Sequence, residues 1–175
     1  VGRGARVAAG AAGGGVGGWM CVRAGPGVSA KLSMRRRRAS VFIWAFGIRP
    51  RAARTSTVDV KNEQGQSVGT ATLAGGKDGG VAVALDLKNL QQGRHAIHFH
   101  ETAKCEGPAF TSAGGHYNPD NKKHGLQNPQ GPHAGDMNNF TVLKNGTAKT
   151  TVIASHMKSG MESALVVHAG IDDMK

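Results

Sequence analysis

The 175-residue sequence has little of several residue types, and these shortages exclude several kinds of protein. No apolar stretch is long enough to cross a bilayer, so we expect no membrane span. There are two cysteines, Cys21 and Cys105, one in each part of the chain, and such a pair is not a disulfide framework by itself. No convincing helical period occurs either, which argues against a helical protein.

Acidic residues are absent from residues 1–56, which contain eleven Lys or Arg. Residues 57–175 contain the other eleven basic residues and all eleven acidic ones, so the net charge of +11 belongs to the first third of the chain. An arginine-rich arm could bind nucleic acid, but no motif of a nucleic-acid-binding segment accompanies it. We therefore expect no nucleic-acid partner.

Residues 1–56 are rich in Gly, Ala and Arg and lack an apolar period, which predicts a segment that is disordered or serves targeting. RRRR followed by VFIWAFGI resembles the basic and apolar regions of a secretory signal, although no small-residue cleavage site follows. A second interpretation is an upstream extension ahead of a true start at Met34. The folded domain is predicted to span residues 57–175.

Short alternating apolar runs with turn signals begin at Thr57 and predict β-strands. One pair of runs flanks NEQGQ, and another flanks KNG, which carries the Asn-Gly hairpin signal. The segments GGVAVALDLKNL, GRHAIHFHE and SALVVHAG supply the other strands, which together predict an all-β sandwich or barrel. Residues 103–136 instead form a long loop rich in Gly, Pro, Asn and His, which needs an ordering agent such as a metal.

The long loop contains four nitrogen or oxygen donors, spaced H-x7-H-x8-H-x2-D: His116, His124, His133 and Asp136. Four such donors suffice for a tetrahedral zinc site, and donors without thiolates fit zinc or copper. Binding would supply the ordering free energy that the apolar content of the loop does not. The alternative is that these histidines are exposed to solvent and bind nothing. Because four donors occur in one Gly- and Pro-rich loop, metal binding is the stronger interpretation.

A second set of imidazoles lies on the predicted strands. His98 and His100 alternate with Phe99, so both imidazoles project from one face and Phe99 from the other. His168 ends the apolar run ALVV, where a lone histidine is more often a buried structural residue. Together, the three histidines form a donor set that suits copper.

Four segments, HAIHFHE, SAGGHYNP, KKHGLQNPQGPHAGD and ALVVHAGIDD, resemble in order and spacing the metal-site motifs of Cu,Zn superoxide dismutases, especially the bacterial secreted forms. The resemblance covers about residues 57–175 and implies a Greek-key β-sandwich of immunoglobulin-like architecture. It implies copper and zinc as cofactors and superoxide as the substrate. It also implies a periplasmic or extracellular location, and it leaves a homodimer open because the family includes monomers and dimers.

Carried over position by position, the resemblance assigns two ligand sets. The copper ligands would be His98, His100, His116 and His168. The zinc ligands would be His116, His124, His133 and Asp136. His116 would thus bridge the two metals and serve as the catalytic proton carrier, and Asp172 would link a copper histidine to a zinc histidine. His95 matches a structural histidine, His156 matches no position of the motifs, and Cys105 matches one half of a disulfide.

The sequence departs from the family pattern after IDDMK. The family continues with an arginine beside copper, a cysteine that pairs with the one matching Cys105, and a final strand. Here no Arg lies beyond Arg94, and Cys21 could reach Cys105 only if residues 1–56 folded back. We therefore expect a missing C-terminal strand, an unpaired sheet edge and a weakened, metal-dependent fold. The same departures favour an alternative, a non-catalytic protein that holds copper or zinc.

Overall fold

A computed structural model describes residues 20–24, 55–76, 79–158 and 161–175. Within these residues there is one 3₁₀ turn, Thr111–Ala113, and no α-helix, which confirms the all-β prediction. The strands are β1 (Met20–Ala24), β2 (Thr55–Lys61), β3 (Ser67–Gly75), β4 (Val81–Leu87), β5 (Gly93–His95), β6 (Ile97–His100), β7 (Phe140–Val142), β8 (Ala148–Ala154) and β9 (Ser163–Val167). No helix in these ranges is long and apolar enough to cross a membrane.

The strands form where apolar residues alternate with polar ones. In β4, Val83, Leu85 and Leu87 are buried while Ala84 and Asp86 between them are exposed, as the period of two in a strand requires. The predicted hairpin around NEQGQ is present, since β2 pairs with β3. At KNG the chain turns, with the Leu143 N–H donating to the Thr147 carbonyl at 2.8 Å, but the flanking strands do not form the predicted hairpin, because β7 pairs with β5 and β8 pairs with β4. Burying each of these aliphatic side chains contributes about 1.5–3 kcal/mol, so the alternation supplies most of the driving force for the sheet.

Seven strands form one antiparallel sheet in the order β6-β9-β1-β2-β3-β4-β8, and β5 pairs with β7 in a second, two-stranded sheet. Side chains from opposite ends of the large sheet belong to one core, where Phe99 and Leu165 join Val83 and Leu85. The sheet therefore curls around one main apolar core, and a second, smaller cluster packs Phe110 and Ala113 of the loop against Cys21, Ala164 and Val166. β6, β9 and β1 are neighbours in the sheet but are far apart in the chain. Long connections between such neighbours are expected of a Greek-key fold.

The predicted strand GRHAIHFHE is divided at Ala96. Its first part, β5, pairs with β7, whereas its second part, β6, pairs with β9. The division matters for the site because it carries His98 and His100 away from the small sheet and onto an edge of the large one.

The N-terminal segment differs from the sequence prediction. Residues 20–24, which were expected to be disordered or to serve targeting, form β1, which pairs with β9 over its length and with β2 at Cys21 and Lys61. Cys21 is buried and forms a disulfide with Cys105, with 5.5 Å between their Cα atoms. The expectation that Cys105 lacks a partner is therefore wrong, because β1 folds back into the sheet.

β1 also bears on the unpaired edge that the sequence predicts. It fills the position between β2 and β9, and the edge strands of the large sheet in the described part of the chain are β6 and β8. The next strand, β2, begins at Thr55. The remainder of the predicted leader, residues 1–19 and 25–54, lies outside the described residues.

Candidate metal centre

Three imidazoles lie close together at the paired strands β6 and β9. Two are on β6, and the third belongs to the residue that follows β9. His98 and His100 lie on β6 opposite Val166 and Ala164 of β9, and Phe99 between them points into the core with 1% of its surface exposed. His168 follows β9, where its N–H donates to the carbonyl of Ala96 at 2.9 Å. As a result, Nδ1 of His98 lies 3.0 Å from Nε2 of His168.

The long loop lies against the free side of β6 and brings two more groups to it. The N–H of Phe99 donates to the carbonyl of Gly135 at 3.0 Å, and the carbonyl of Phe99 accepts from the N–H of Tyr117 at 2.8 Å. Gly135 has to be glycine here, because a Cβ atom would lie 2.3 Å from the Phe99 carbonyl oxygen. These backbone contacts place His116 beside His100 and Asp136 beside His98.

Asp136 is the centre of the loop cluster and is 1% exposed. Its carboxylate accepts from the backbone N–H groups of Gly125 and His133, at 2.9 and 3.0 Å. Three imidazole nitrogens face the same carboxylate: Nδ1 of His116 at 3.1 Å, Nδ1 of His124 at 3.1 Å and Nδ1 of His133 at 3.4 Å. The backbone donors therefore hold Asp136 in place while one edge of it faces the histidines.

The separations in this cluster fit a tetrahedral metal. Zinc bonds of about 2.0–2.1 Å at tetrahedral angles place neighbouring ligand atoms about 3.3 Å apart. Nδ1 of His116 and Nδ1 of His133 are 3.5 Å apart, and the carboxylate distances of 3.1–3.4 Å bracket the same value. Asp136 is therefore close to each of the three imidazoles predicted for zinc, whereas the loop donors whose ligand atoms all lie within 4.8 Å of one another are His116, His124 and Asp136, together with His98 and without His133.

Asp172 connects the two groups of imidazoles. Nε2 of His98 donates to one of its carboxylate oxygens at 2.9 Å, and Nε2 of His124 donates to the other at 2.9 Å. With Nε2 engaged in this way, each imidazole turns its Nδ1 toward the other donors, to His168 from His98 and to Asp136 from His124. Outer carboxylates orient metal-binding histidines in this manner.

His98 also lies within 4.8 Å of the ligand atoms of His116, His124 and Asp136, so distance alone would allow it in either group. Its Nε2 is engaged by Asp172 and its Nδ1 faces His168, which assigns it to the imidazole set on the strands. The members of that set lie within 4.8 Å of one another: His98, His100, His116 and His168.

Burial keeps the strand imidazoles neutral. It lowers the pKa of His98 to about 4, with the nearby His116 adding to the effect. Burial next to other histidines lowers the pKa of His168 to about 3, and burial also lowers the pKa of His100. At neutral pH these imidazoles hold no extra proton, so a metal does not have to displace one.

In the loop cluster, hydrogen bonds and neighbouring charges favour the charged forms of Asp136 and His124. Although burial opposes it, hydrogen bonds from His116 and from the Gly125 N–H hold the pKa of Asp136 well below its usual range. Although burial also opposes it, the bond to Asp172 and the charge of Asp136 raise the pKa of His124. Asp136 is therefore an anion that attracts a cation to this cluster.

One buried atom supports metal binding on the strand side. His100 Nδ1 donates to the carbonyl of Gly114 at 2.9 Å, which leaves Nε2 as an acceptor. That Nε2 is buried and has no hydrogen-bond partner among the described residues, whereas buried polar atoms normally have one. A lone pair aimed at three other imidazoles is what a copper ligand requires, so the residues fit the ion that the resemblance implies.

Two histidines that the sequence analysis left outside the ligand sets, and one residue that it missed, are also located. His95 has both ring nitrogens at carbonyl oxygens, those of His168 and Gln91, so no nitrogen is left for a metal. His156 is exposed and lies outside both donor groups. Sequence reasoning missed Asn139, whose amide bonds the backbone of Asp172, and nothing in its local pattern indicates that contact.

Comparison with known proteins agrees with this geometry. The family model for copper/zinc superoxide dismutase matches residues 67–175. A Cu-Zn superoxide dismutase of Aquifex aeolicus is 41% identical over 128 residues, which are 67% of this chain and 75% of that protein.

Two solved structures share the fold. A SOD-like protein from Bacillus subtilis is 31% identical with a TM-score of 0.62, over 67% of this chain and 85% of that one. The Cu/Zn superoxide dismutase from Brucella abortus is 28% identical with a TM-score of 0.59, over 70% and 88% of the two chains. Sequence, fold and clustered histidines therefore agree, and the chain belongs to the copper/zinc superoxide dismutase family.

Proposed function

We propose that this protein converts two superoxide anions and two protons into dioxygen and hydrogen peroxide. Copper would be held by His98, His100, His116 and His168, and zinc by His116, His124, His133 and Asp136. The observation that carries the proposal is the position of His116 between the two donor sets, with its ring centroid 4.1 Å from that of His98 and its Nδ1 3.1 Å from Asp136.

Bound copper supplies one-electron exchange with superoxide, whereas bound zinc supplies charge and no redox chemistry. The protein residues supply orientation and proton transfer. Asp172 and the Gly114 carbonyl fix the tautomers of His98 and His100, so that each presents a lone pair to the same point. His116, held by Asp136 at Nδ1, would receive a proton at Nε2 and give it to the peroxide product.

The compartment that suits this chemistry is the periplasm or the extracellular space. The Cys21–Cys105 disulfide supports this proposal, because such bonds persist mainly in oxidising compartments.

A second candidate is a non-catalytic protein that holds copper or zinc. The similarity to a Bacillus subtilis protein that is named only as SOD-like favours it. Superoxide removal by copper- and zinc-loaded protein, compared with an equal concentration of aquo-copper, separates the two. Faster turnover by the protein supports dismutation, and turnover no faster than that of free copper supports the binding protein.

A further inference from the structure

Asn139 makes a two-point contact with the backbone of Asp172. Its Nδ2 donates to the Asp172 carbonyl at 2.9 Å, and its Oδ1 accepts from the Asp172 N–H at 3.0 Å. Asn139 directly precedes β7, whose first residue, Phe140, is buried in the core. The amide is therefore attached to a rigid part of the small sheet.

Asp172 lies in a segment that belongs to no strand. Residues 169–175 have no ladder of backbone hydrogen bonds, and Ile171 within this segment is 58% exposed. The segment is held by separate contacts: Gly170 accepts from the Ala96 N–H, and Met174 accepts from the Gln127 N–H. A third contact is the pair of hydrogen bonds from the Asn139 amide to the backbone of Asp172, the residue whose carboxylate bonds both His98 and His124.

We propose that Asn139 is a positioning residue for both metal sites. By fixing the backbone of Asp172, it holds the carboxylate between His98 and His124 and keeps Nδ1 of each imidazole directed at its metal. The inference rests on the proposed function for the identity of the two metals.

The chemistry of the amide explains why asparagine is needed. Only a side chain with a donor and an acceptor side by side can bond a peptide N–H and its C=O together. Leucine has a similar shape but offers neither group. Aspartate keeps an acceptor for the N–H but directs a second oxygen at the Asp172 carbonyl, so the two oxygens repel each other.

The test uses zinc-loaded protein labelled with ¹⁵N-histidine, in which NMR reports the imidazole N–H groups directly. In Asn139→Leu we expect the Nε2–H signals of His98 and His124 to broaden or vanish through exchange with water. The Nδ1–H signal of His100, which is bonded to Gly114, serves as an internal control and should remain. Zinc affinity should fall about 10- to 100-fold, the loss typical of removing a partner that orients a ligand.

Asn138→Leu is the matched control, since Asn138 is the exposed neighbour and should change neither signal nor affinity. Asn139→Asp is the second variant in case the leucine variant does not fold, and it should show the same losses. Unchanged Nε2–H signals of His98 and His124 in a folded variant, even with a lower melting temperature, would overturn the proposal. Because neither readout is superoxide turnover, an inactive wild-type protein would refute the proposed function and leave this test valid.

Discussion

The curled sheet and the long loop of residues 101–139 are held together by different forces. The sheet buries apolar side chains at every second position, and all five residues of β9 are buried. The loop has one 3₁₀ turn and otherwise irregular backbone, and its centre is a buried carboxylate surrounded by imidazoles. The sheet is therefore stabilised mainly by apolar burial, whereas the loop combines a few buried apolar side chains, those of Phe110, Ala113 and Met137, with the charge of Asp136 and, when loaded, metal ions.

The comparison shows why the histidines occur where the two regions meet. β6 supplies a rigid face for His98 and His100, because its other face is fixed in the core by Phe99. The loop supplies His116 and Asp136, which hydrogen bonds to β6 place on the same side. A site built in this way has one half on a regular strand and one half on irregular backbone, and we expect the second half to gain more order when a metal binds.

The strongest test of this division is to remove a ligand from the rigid half. His100→Ala should lower superoxide turnover of the loaded protein more than about 100-fold, because even residues that only orient a ligand contribute about 10- to 100-fold. Its circular dichroism spectrum should remain that of a β protein. The matched control is His156→Ala, which alters an exposed histidine outside both donor groups. Equal losses in the two variants would contradict the assignment.

Removing the metals should destabilise the loop more than the sheet. Zinc at about 1,000 times its Kd stabilises the folded state by about 4 kcal/mol, so a chelator should lower the melting temperature. In hydrogen exchange, amides of residues 114–136 should lose protection first, while those of β3 and β4 keep theirs. A melting temperature that a chelator leaves unchanged would mean that the loop is ordered by its own contacts.

The disulfide links the two regions, since Cys21 lies in the sheet and Cys105 in the loop. Cys21→Ser should lower the free energy of unfolding by about 2–5 kcal/mol, measured by denaturant titration of the metal-free protein. Cys105→Ser and the double variant should lose about the same amount, because both members of the pair are needed for the bond. Losses that add in the double variant would show that the disulfide is not formed.

Acid should weaken the strand half of the site in the metal-free protein. Burial lowers the pKa of His98 to about 4 and that of His168 to about 3, so the unfolded chain binds protons more readily below about pH 6.5. Stability is therefore complete above that pH and decreases as the pH falls toward the folded pKa values. The pKa of His124 is raised, and its contribution has the opposite sign and partly compensates.

The net loss between pH 7 and pH 5.5 should be about 2 kcal/mol, since a tenfold change in proton affinity is worth about 1.4 kcal/mol. Denaturant titrations at both pH values measure it. A His98→Gln variant should show a shallower pH dependence, and a wild-type stability that does not change over this range would contradict the burial of neutral imidazoles.

Much of the fold was predictable because strand periods and turn signals are local. The alternation in β4, the hairpin around NEQGQ, the turn at KNG, and the opposite directions of Phe99 and its neighbouring histidines all follow from short stretches. The division of GRHAIHFHE between two sheets was not predictable, because it depends on which distant strand pairs with each half.

The all-β class, the candidate ligands and, through their spacing, the resemblance to a metalloenzyme family can be read from short stretches of the chain. The fold was needed to show that Cys21 reaches Cys105, that β1 lies between β2 and β9, and that Asn139 bonds the backbone of Asp172. The physical reason is sequence separation: a period or a turn is set by neighbouring residues. A disulfide, an inserted strand or an amide clamp depends on residues that only folding brings together.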